Sequence, residues 1–329
     1  MPTYEFSHCI VCGHTDADVV ARQDDVRAEV ESLWEFHQRR LKIHTPPERL
    51  MDRVAFSEHP PLRLVRCTSC GLIYRNPAER QHELTEIYAR KAPTLDTLQS
   101  LHDTQLSAAR EQAAELRRVM GRGGSVLEVG SYVGAFLAAA RAEGLSAEGI
   151  DINADVNCFT RSLGFAVHDG ELDASTFDHA FDALAIWNTF DQLSDPRGAL
   201  KEAAALVRAD GVLALRVPNG DYYWKTRSKL ASANAVARAA AREALAQNNL
   251  LGFPYRWGFT PRALRTLLDQ AGFDTVRIRG DVLVPIGDEW TRPWARVEEA
   301  SVKAVMRLTA RMRPSMAPWI DVYARPAER

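Results

Sequence analysis

Three sets of residues in this chain of 329 have types and spacings suited to chemistry. The first is Glu128-Val-Gly-Ser-Tyr-Val-Gly134, a carboxylate followed by two glycines. Glycine lets a backbone turn tightly and approach a ligand closely. The second is Asp151 in Gly149-Ile-Asp151, a lone acid ending an apolar run. An acid at a strand tip can accept hydrogen bonds from both hydroxyls of a ribose. The two together fit a nucleoside-type cofactor. Their Glu-x-Gly-x-x-x-Gly spacing differs from the Gly-x-Gly-x-x-Gly of dinucleotide sites. The third set is Cys9-Ile-Val-Cys12 and Cys67-Thr-Ser-Cys70, each pair followed by glycine. Two residues between cysteines let both thiolates of one turn reach a single tetrahedral ion. Two such knuckles complete a closed, structural Cys₄ zinc site with Cys9, Cys12, Cys67 and Cys70 as ligands. Cys158 is left over and reads as a small core residue.

The elements that must position these residues follow from periodicity. Val26, Val30, Leu33, Trp34, His37 and Leu41 recur at helical steps and predict a helix over 24–42. A solvated helix face is expected for His37, Arg39 and Arg40, with the alternative that they cap the acceptor pocket and bind an anionic substrate. Short helices are expected within 45–61 and over 79–90, with strands beside the second knuckle. A long helix over 97–120 stops at Gly121-Arg-Gly-Gly124. Strands follow at 125–129, 147–151, 164–168, 181–187 and 211–217, alternating with helices. That alternation predicts a parallel sheet buried on both faces. Residues 221–258 intervene and read as a lid, with aromatics at both ends. Thr260-Pro261 to Gly272 has the capping pattern of a helix, and strands are expected at 276–284 and 318–324. The expected division is 1–92, a zinc-binding and helical part, and 93–329, the cofactor-binding part with its lid.

The net charge of -2 argues against a broad nucleic-acid footprint. A 46% hydrophobic and 26% charged composition is that of a soluble globular protein. No run of residues has the length of a membrane span, and no leader pattern opens the chain, so the cytoplasm is the expected compartment.

Several stretches then agree with one family. Glu128-Val-Gly130, Asp151, Trp187-Asn-Thr-Phe-Asp-Gln-Leu-Ser-Asp-Pro196 and Arg208-Ala-Asp-Gly-Val-Leu-Ala-Leu-Arg-Val-Pro-Asn219 are similar, in order, to the motifs of class I S-adenosylmethionine (SAM) methyltransferases. The resemblance covers roughly residues 97–329. It implies an α/β, Rossmann-like, seven-stranded sheet with an antiparallel last strand. The N-terminal part resembles the zinc-binding domain fused to some sugar C-methyltransferases. Their further C-terminal His-Glu-His domain has no counterpart here, and Asp191-Gln192 stands where relatives often have Glu-His.

The resemblance implies roles. Gly130 and Gly134 border the methionine part of SAM, and Glu128 accepts from its ammonium or from loop amides. Asp151 binds the ribose, and Ile152 packs on the adenine. Asp169, Gly170 and Glu171 meet the adenine amino group. Trp187 and Asn188 touch the methionine end, while Tyr88 and Tyr132 close over the cofactor. An alcohol acceptor also needs a base. Asp191 is the first expectation, with Gln192, Tyr222 and Tyr223 beside it. The leading function is O-methylation of a sugar or other small metabolite. The alternatives are an RNA methyltransferase that uses the zinc knuckles on nucleic acid, and a non-catalytic SAM-binding scaffold.

Overall fold

A computed structural model describes residues 4–47, 50, 63–79, 93–283 and 289–328. The helices expected within 45–61 and over 79–90, and with them Tyr88, lie outside the described residues.

Two layers of structure organise the chain. The N-terminal region supplies β1 (Tyr4–Glu5), β2 (Ala17–Arg22), α1 (Gln23–Arg40), β3 (Arg63–Cys67), β4 (Ile73–Arg75) and β5 (Ala78–Glu79). Then come α2 (Leu95–Met120), β6 (Ser125–Val129), α3 (Ala135–Ala142), β7 (Ser146–Asp151), α4 (Ala154–Ser162), β8 (Ala166–Asp169), β9 (Phe181–Trp187), α5 (Pro196–Leu206) and β10 (Val207–Pro218). The chain finishes with α6 (Gly220–Arg227), α7 (Ala235–Ala246), β11 (Trp257–Gly258), α8 (Pro261–Gln270), β12 (Phe273–Asp281), α9 (Pro293–Met312) and β13 (Trp319–Pro326).

The large sheet has the order β12-β13-β10-β9-β6-β7-β8. The strands from β10 to β8 run parallel, and β13 runs antiparallel to both β10 and β12. All seven residues of β9 are buried, which explains its unbroken apolar run. Helix α8 begins as its sequence promises: Thr260 caps the Ala263 amide and Pro261 occupies the first turn. Its C-terminal Gly272 is left-handed, and Phe273 pairs at once with Pro326. That early pairing starts β12 three residues before the expected strand.

A second, antiparallel sheet has the order β11-β4-β3-β2. Its edge strand comes from far along the chain, since Trp257 pairs with Tyr74. Tyr223, Leu245, Leu250, Leu251 and Phe253 share one buried cluster with Val26, Leu33 and Ile73. The segment 221–258 is thus packed against α1 and the small sheet. Buried Glu29 of α1 ties this packing together, accepting from Arg227 Nε at 2.7 Å and from the Gly252 amide at 3.1 Å. Cys158, expected in the core, lies instead on the exposed side of α4. His37 and Arg40 correct another expectation: both are buried, and only Arg39 of that group faces solvent.

Candidate active site and metal centre

The carboxyl ends of β6, β7 and β9 open into one cleft of about 1280 Å³. A single small ligand usually occupies ~300–1,000 Å³, so the cleft has room for a nucleoside cofactor and a second molecule. Glu128, Gly130, Tyr132, Asp151, Ile152, Gly170, Glu171, Trp187 and Asn188 all line it.

The turn after β6 explains its sequence. Gly130 has φ +76, and a Cβ there would lie 2.5 Å from Thr189 Oγ1. The Gly130 amide donates to the Ile150 carbonyl at 2.8 Å, locking this turn to β7. Tyr132 follows at φ +42, and across the cleft Asn188 sits at φ +56. Non-glycine residues with such backbones are uncommon and concentrate at functional sites. Gly134 caps α3 from behind, out of the cleft lining.

Asp151 is held rather than loose. Its Oδ2 accepts from the Tyr132 amide at 3.0 Å and its Oδ1 from the Asn153 amide at 2.9 Å. Each oxygen retains acceptor capacity toward the cleft. Burial raises its pKa, with the Asn153 and Tyr132 amides opposing. Glu128 is buried at the cleft floor, and its Oε2 finds no hydrogen-bond partner among the described residues. Burial, and then the Asp151 carboxylate, push its pKa well above the usual range. The Ser131 hydroxyl and Trp187 Nε1 are buried and unpartnered in the same way. An orphaned acceptor beside an amide-held acid fits the ammonium and ribose of SAM.

Other expected residues sit elsewhere. Asp169 turns from the cleft lining to Asn157 at 2.7 Å and Arg161 at 2.8 Å. Asp191, the expected base, is 1% exposed and does not line the cleft. The Gln192 amide bonds back to the Thr189 carbonyl, and the Asp191 carbonyl is taken by the Trp257 amide. This turn aims the Asp191 side chain inward while Gln192 reaches the cleft. Burial pushes the Asp191 pKa well above the ordinary carboxylate value. Tyr222 and Tyr223 also miss the cleft. Helix α6 rolls Tyr223 into the core, edge-on to Phe253, with its hydroxyl 3.5 Å from Glu29. Tyr222 packs against the same cluster, and burial pushes its pKa up to about 12.

The cleft has walls that sequence reasoning missed. Leu101, Thr104, Gln105, Ala108 and Gln112 of α2 form one side. Their helical spacing was available as a signal, but nothing in it distinguished a ligand face from a solvent face. Opposite stand Gln192, Arg216, Asn249, Tyr255 and Leu283. Arg216 is buried and held by Asp281 at 2.6 Å and Asp321 at 3.0 Å, so its charge is balanced. Asn249 is oriented by His37, whose Nε2 lies 3.0 Å from Asn249 Oδ1. Of these, Gln192 was expected at the site from the turn after β9 and Tyr255 lay in the aromatic cluster at 253–257, while Arg216, Asn249 and Leu283 had no sequence signal.

The four knuckle cysteines meet outside this cleft. Their sulfurs all lie within 4.8 Å of one another, with Cys9–Cys70 at 3.4 Å and Cys12–Cys67 at 3.6 Å. A tetrahedral zinc with Zn–S bonds of ~2.3 Å needs sulfurs about 3.8 Å apart, so the donor set fits. In each knuckle the glycine is left-handed and its amide donates to the carbonyl of the first or third cysteine, Gly13 to Cys9 and Gly71 to Cys67. The knuckles seat on the large domain: Arg197 of α5 donates to the Val11 carbonyl at 2.9 Å and Gln270 of α8 at 3.1 Å.

A parallel sheet of this order, with a nucleoside-shaped cleft at its strand ends and an antiparallel final strand, defines a Rossmann-like methyltransferase fold. Residues 100–278 match the family model of the methyltransferase domain. That is more than half of the chain, which belongs to this family and is a SAM-dependent methyltransferase. No curated protein matches the sequence. Among solved structures the chain is similar to a SAM-dependent methyltransferase of Thermotoga maritima, titled a possible histamine N-methyltransferase, with 16% identity over 74% of this chain and 99% of that one, TM-score 0.46. It is similar also to the CcbJ methyltransferase of Streptomyces caelestis, with 15% identity over 74% and 96%, TM-score 0.43. A third is the plantazolicin methyltransferase BpumL in complex with SAH, with 12% identity over 74% and 94%, TM-score 0.44. Likenesses this loose carry no argument about substrate.

Proposed function

We propose that the chain transfers the methyl group of SAM to a hydroxyl of a small molecule, and that a Cys₄ zinc site braces the cleft from outside. The observation that carries this reading is the pairing of orphaned, buried Glu128 with amide-held Asp151 on the floor of one cleft. When bound, SAM supplies a methyl carbon made electrophilic by its sulfonium. The chain's own residues bind and orient. Asp151 accepts from the ribose hydroxyls and Glu128 from the ammonium. The amino end of α3 favours the SAM carboxylate. Gln192, Asn249 and Tyr255 hold the acceptor on the far side, with the N-terminal region contributing through His37. Holding two reactants in line removes much of the entropic barrier. Asp191 takes no part, since it is buried and turned away from the cleft, and the acceptor's hydroxyl proton passes to water in the cleft as the O–CH3 bond forms. A small acceptor suits the cleft volume and a chain of net charge -2. A reducing, cytoplasmic compartment suits four thiolate ligands.

Incubation with methyl-labelled SAM and a metabolite mixture, followed by mass spectrometry, tests this. The expected result is a labelled small molecule together with SAH. Label confined to RNA would replace the reading with the nucleic-acid alternative. Intact SAM binding with no labelled product in either fraction would leave a scaffold.

A further inference from the structure

His102 of α2 is buried against the turn that joins β6 to α3. Its Nδ1 lies 2.7 Å from the Val133 carbonyl oxygen. A carbonyl oxygen only accepts, so Nδ1 carries the proton and donates it. That carbonyl stands at the entrance to α3. The helix takes the Gly134 carbonyl as its first acceptor, from the Ala138 amide at 3.0 Å. Had α3 begun one residue sooner, the Leu137 amide would take the Val133 carbonyl in the same pattern. His102 claims that carbonyl instead and so fixes where α3 starts. The first amides of a helix have no partner within it. Ala135 and Phe136 supply two of them here, and both residues line the cleft.

The rest of the turn is held by other elements. The Gly130 amide is bound to Ile150 of β7, and the Tyr132 amide to Asp151. The Tyr132 carbonyl accepts from the fully buried Thr160 of α4 at 2.6 Å. Thus α4 sets the peptide plane after Tyr132, and His102 of α2 sets the next. Between them Tyr132 keeps its φ of +42, a backbone that persists only where the surroundings impose it. The bonds to β7 secure the half of the turn beside the ribose-binding acid. His102 secures the half that opens α3.

We propose that His102 is a positioning residue for the amino-acid end of SAM. His102 itself is outside the cleft lining. By holding the Val133 carbonyl it keeps the amino end of α3 open toward the cleft, where the SAM carboxylate is received. Its role rests on the reading that SAM occupies this cleft. The contact is exacting. Nδ1 is bonded to the ring carbon next to Cβ, so the donor reaches only as far as an asparagine amide nitrogen. Glutamine would carry its donor one carbon further, and leucine would fill the space with no donor. The same bond ties α2 to the turn. Its neighbours Leu101, Thr104 and Gln105 wall the cleft, so cofactor seat and cleft wall are fixed to one another.

Calorimetric titration of the full chain with two ligands is the test. One is SAH, and the other is 5′-methylthioadenosine, which shares the adenosine but lacks the amino-acid end. His102→Leu should bind SAH at least about tenfold more weakly than wild type, and methylthioadenosine within about twofold of it. His102→Asn should restore SAH binding to within about threefold of wild type, and His102→Gln should not. If His102→Leu does not fold, the Asn and Gln variants carry the same comparison. A general loosening of the fold would weaken both ligands alike, and that result would overturn the proposal. So would unchanged SAH affinity in His102→Leu, or equal affinity in the Asn and Gln variants. A wild type that binds neither ligand would sink the SAM reading and this role with it. A wild type that binds SAH beside variants that bind it equally well would overturn the role of His102 alone.

Discussion

Glu128 concentrates the conflict between stability and function in this site. Its carboxyl is raised by burial and by Asp151, so the fold favours the protonated form. In the cofactor-free protein that contribution is fully present below the unfolded value of about 4.5 and is lost as pH rises toward the raised one. Glu128→Gln removes the ionisable group while keeping its shape. Thermal melts at neutral pH should therefore show the variant melting higher than wild type without SAM, and gaining less from added SAM. Equal melting in both conditions would mean that Glu128 does not face the ammonium. SAM affinity of the wild type should rise with pH across the same window, since the ionised carboxylate is the better acceptor, and titration calorimetry at a series of pH values reads this. Gly130, Asp151 and Glu128 could be singled out in the sequence because each has a type and position that little else requires, and all three line the cleft. Asp191 was expected on the cleft and is instead buried and turned inward, because sequence reports that an acid follows β9 but not which way the turn points it.

Helix α5 links the two candidate sites. Arg197 on one side holds the Val11 carbonyl of the first knuckle, while Gly198, Ala199 and Glu202 line the cleft. Thr260, the cap of α8, donates to the Cys70 carbonyl at 3.4 Å, which ties the second knuckle to the same domain. Metal loss should thus be felt across the molecule. Cys67→Ser is expected to purify without stoichiometric zinc, by elemental analysis, and to lower the melting temperature. It should also speed proteolysis of the 63–79 segment. Full zinc content in that variant would refute the Cys₄ site. At this scale the sequence was a good guide to strands and a poor one to the acceptor side. The strands of the large sheet announce themselves by apolar runs between glycines. Tyr222 and Tyr223 looked like pocket walls because aromatic clusters serve both pockets and cores. Their placement depends on α6 packing against α1, a contact between residues about two hundred positions apart that no local pattern encodes.

The whole molecule joins an N-terminal layer to a methyltransferase sheet through residues 245–258, which belong to the buried core of the first while Asn249 and Tyr255 line the cleft of the second. Class and cofactor were therefore readable from two short motifs and their order. The acceptor was not, because its wall is assembled from α2, the turn after β9, and a distant loop positioned by α1. Everything proposed for the cleft depends on SAM lying across Asp151 and Glu128. Calorimetric titration of SAM into wild type and into Asp151→Ala tests that directly. The account predicts one SAM per chain and an affinity at least about tenfold weaker in the variant, which is ~1.4 kcal/mol. Unchanged affinity in Asp151→Ala, or no binding by the wild type, would contradict it.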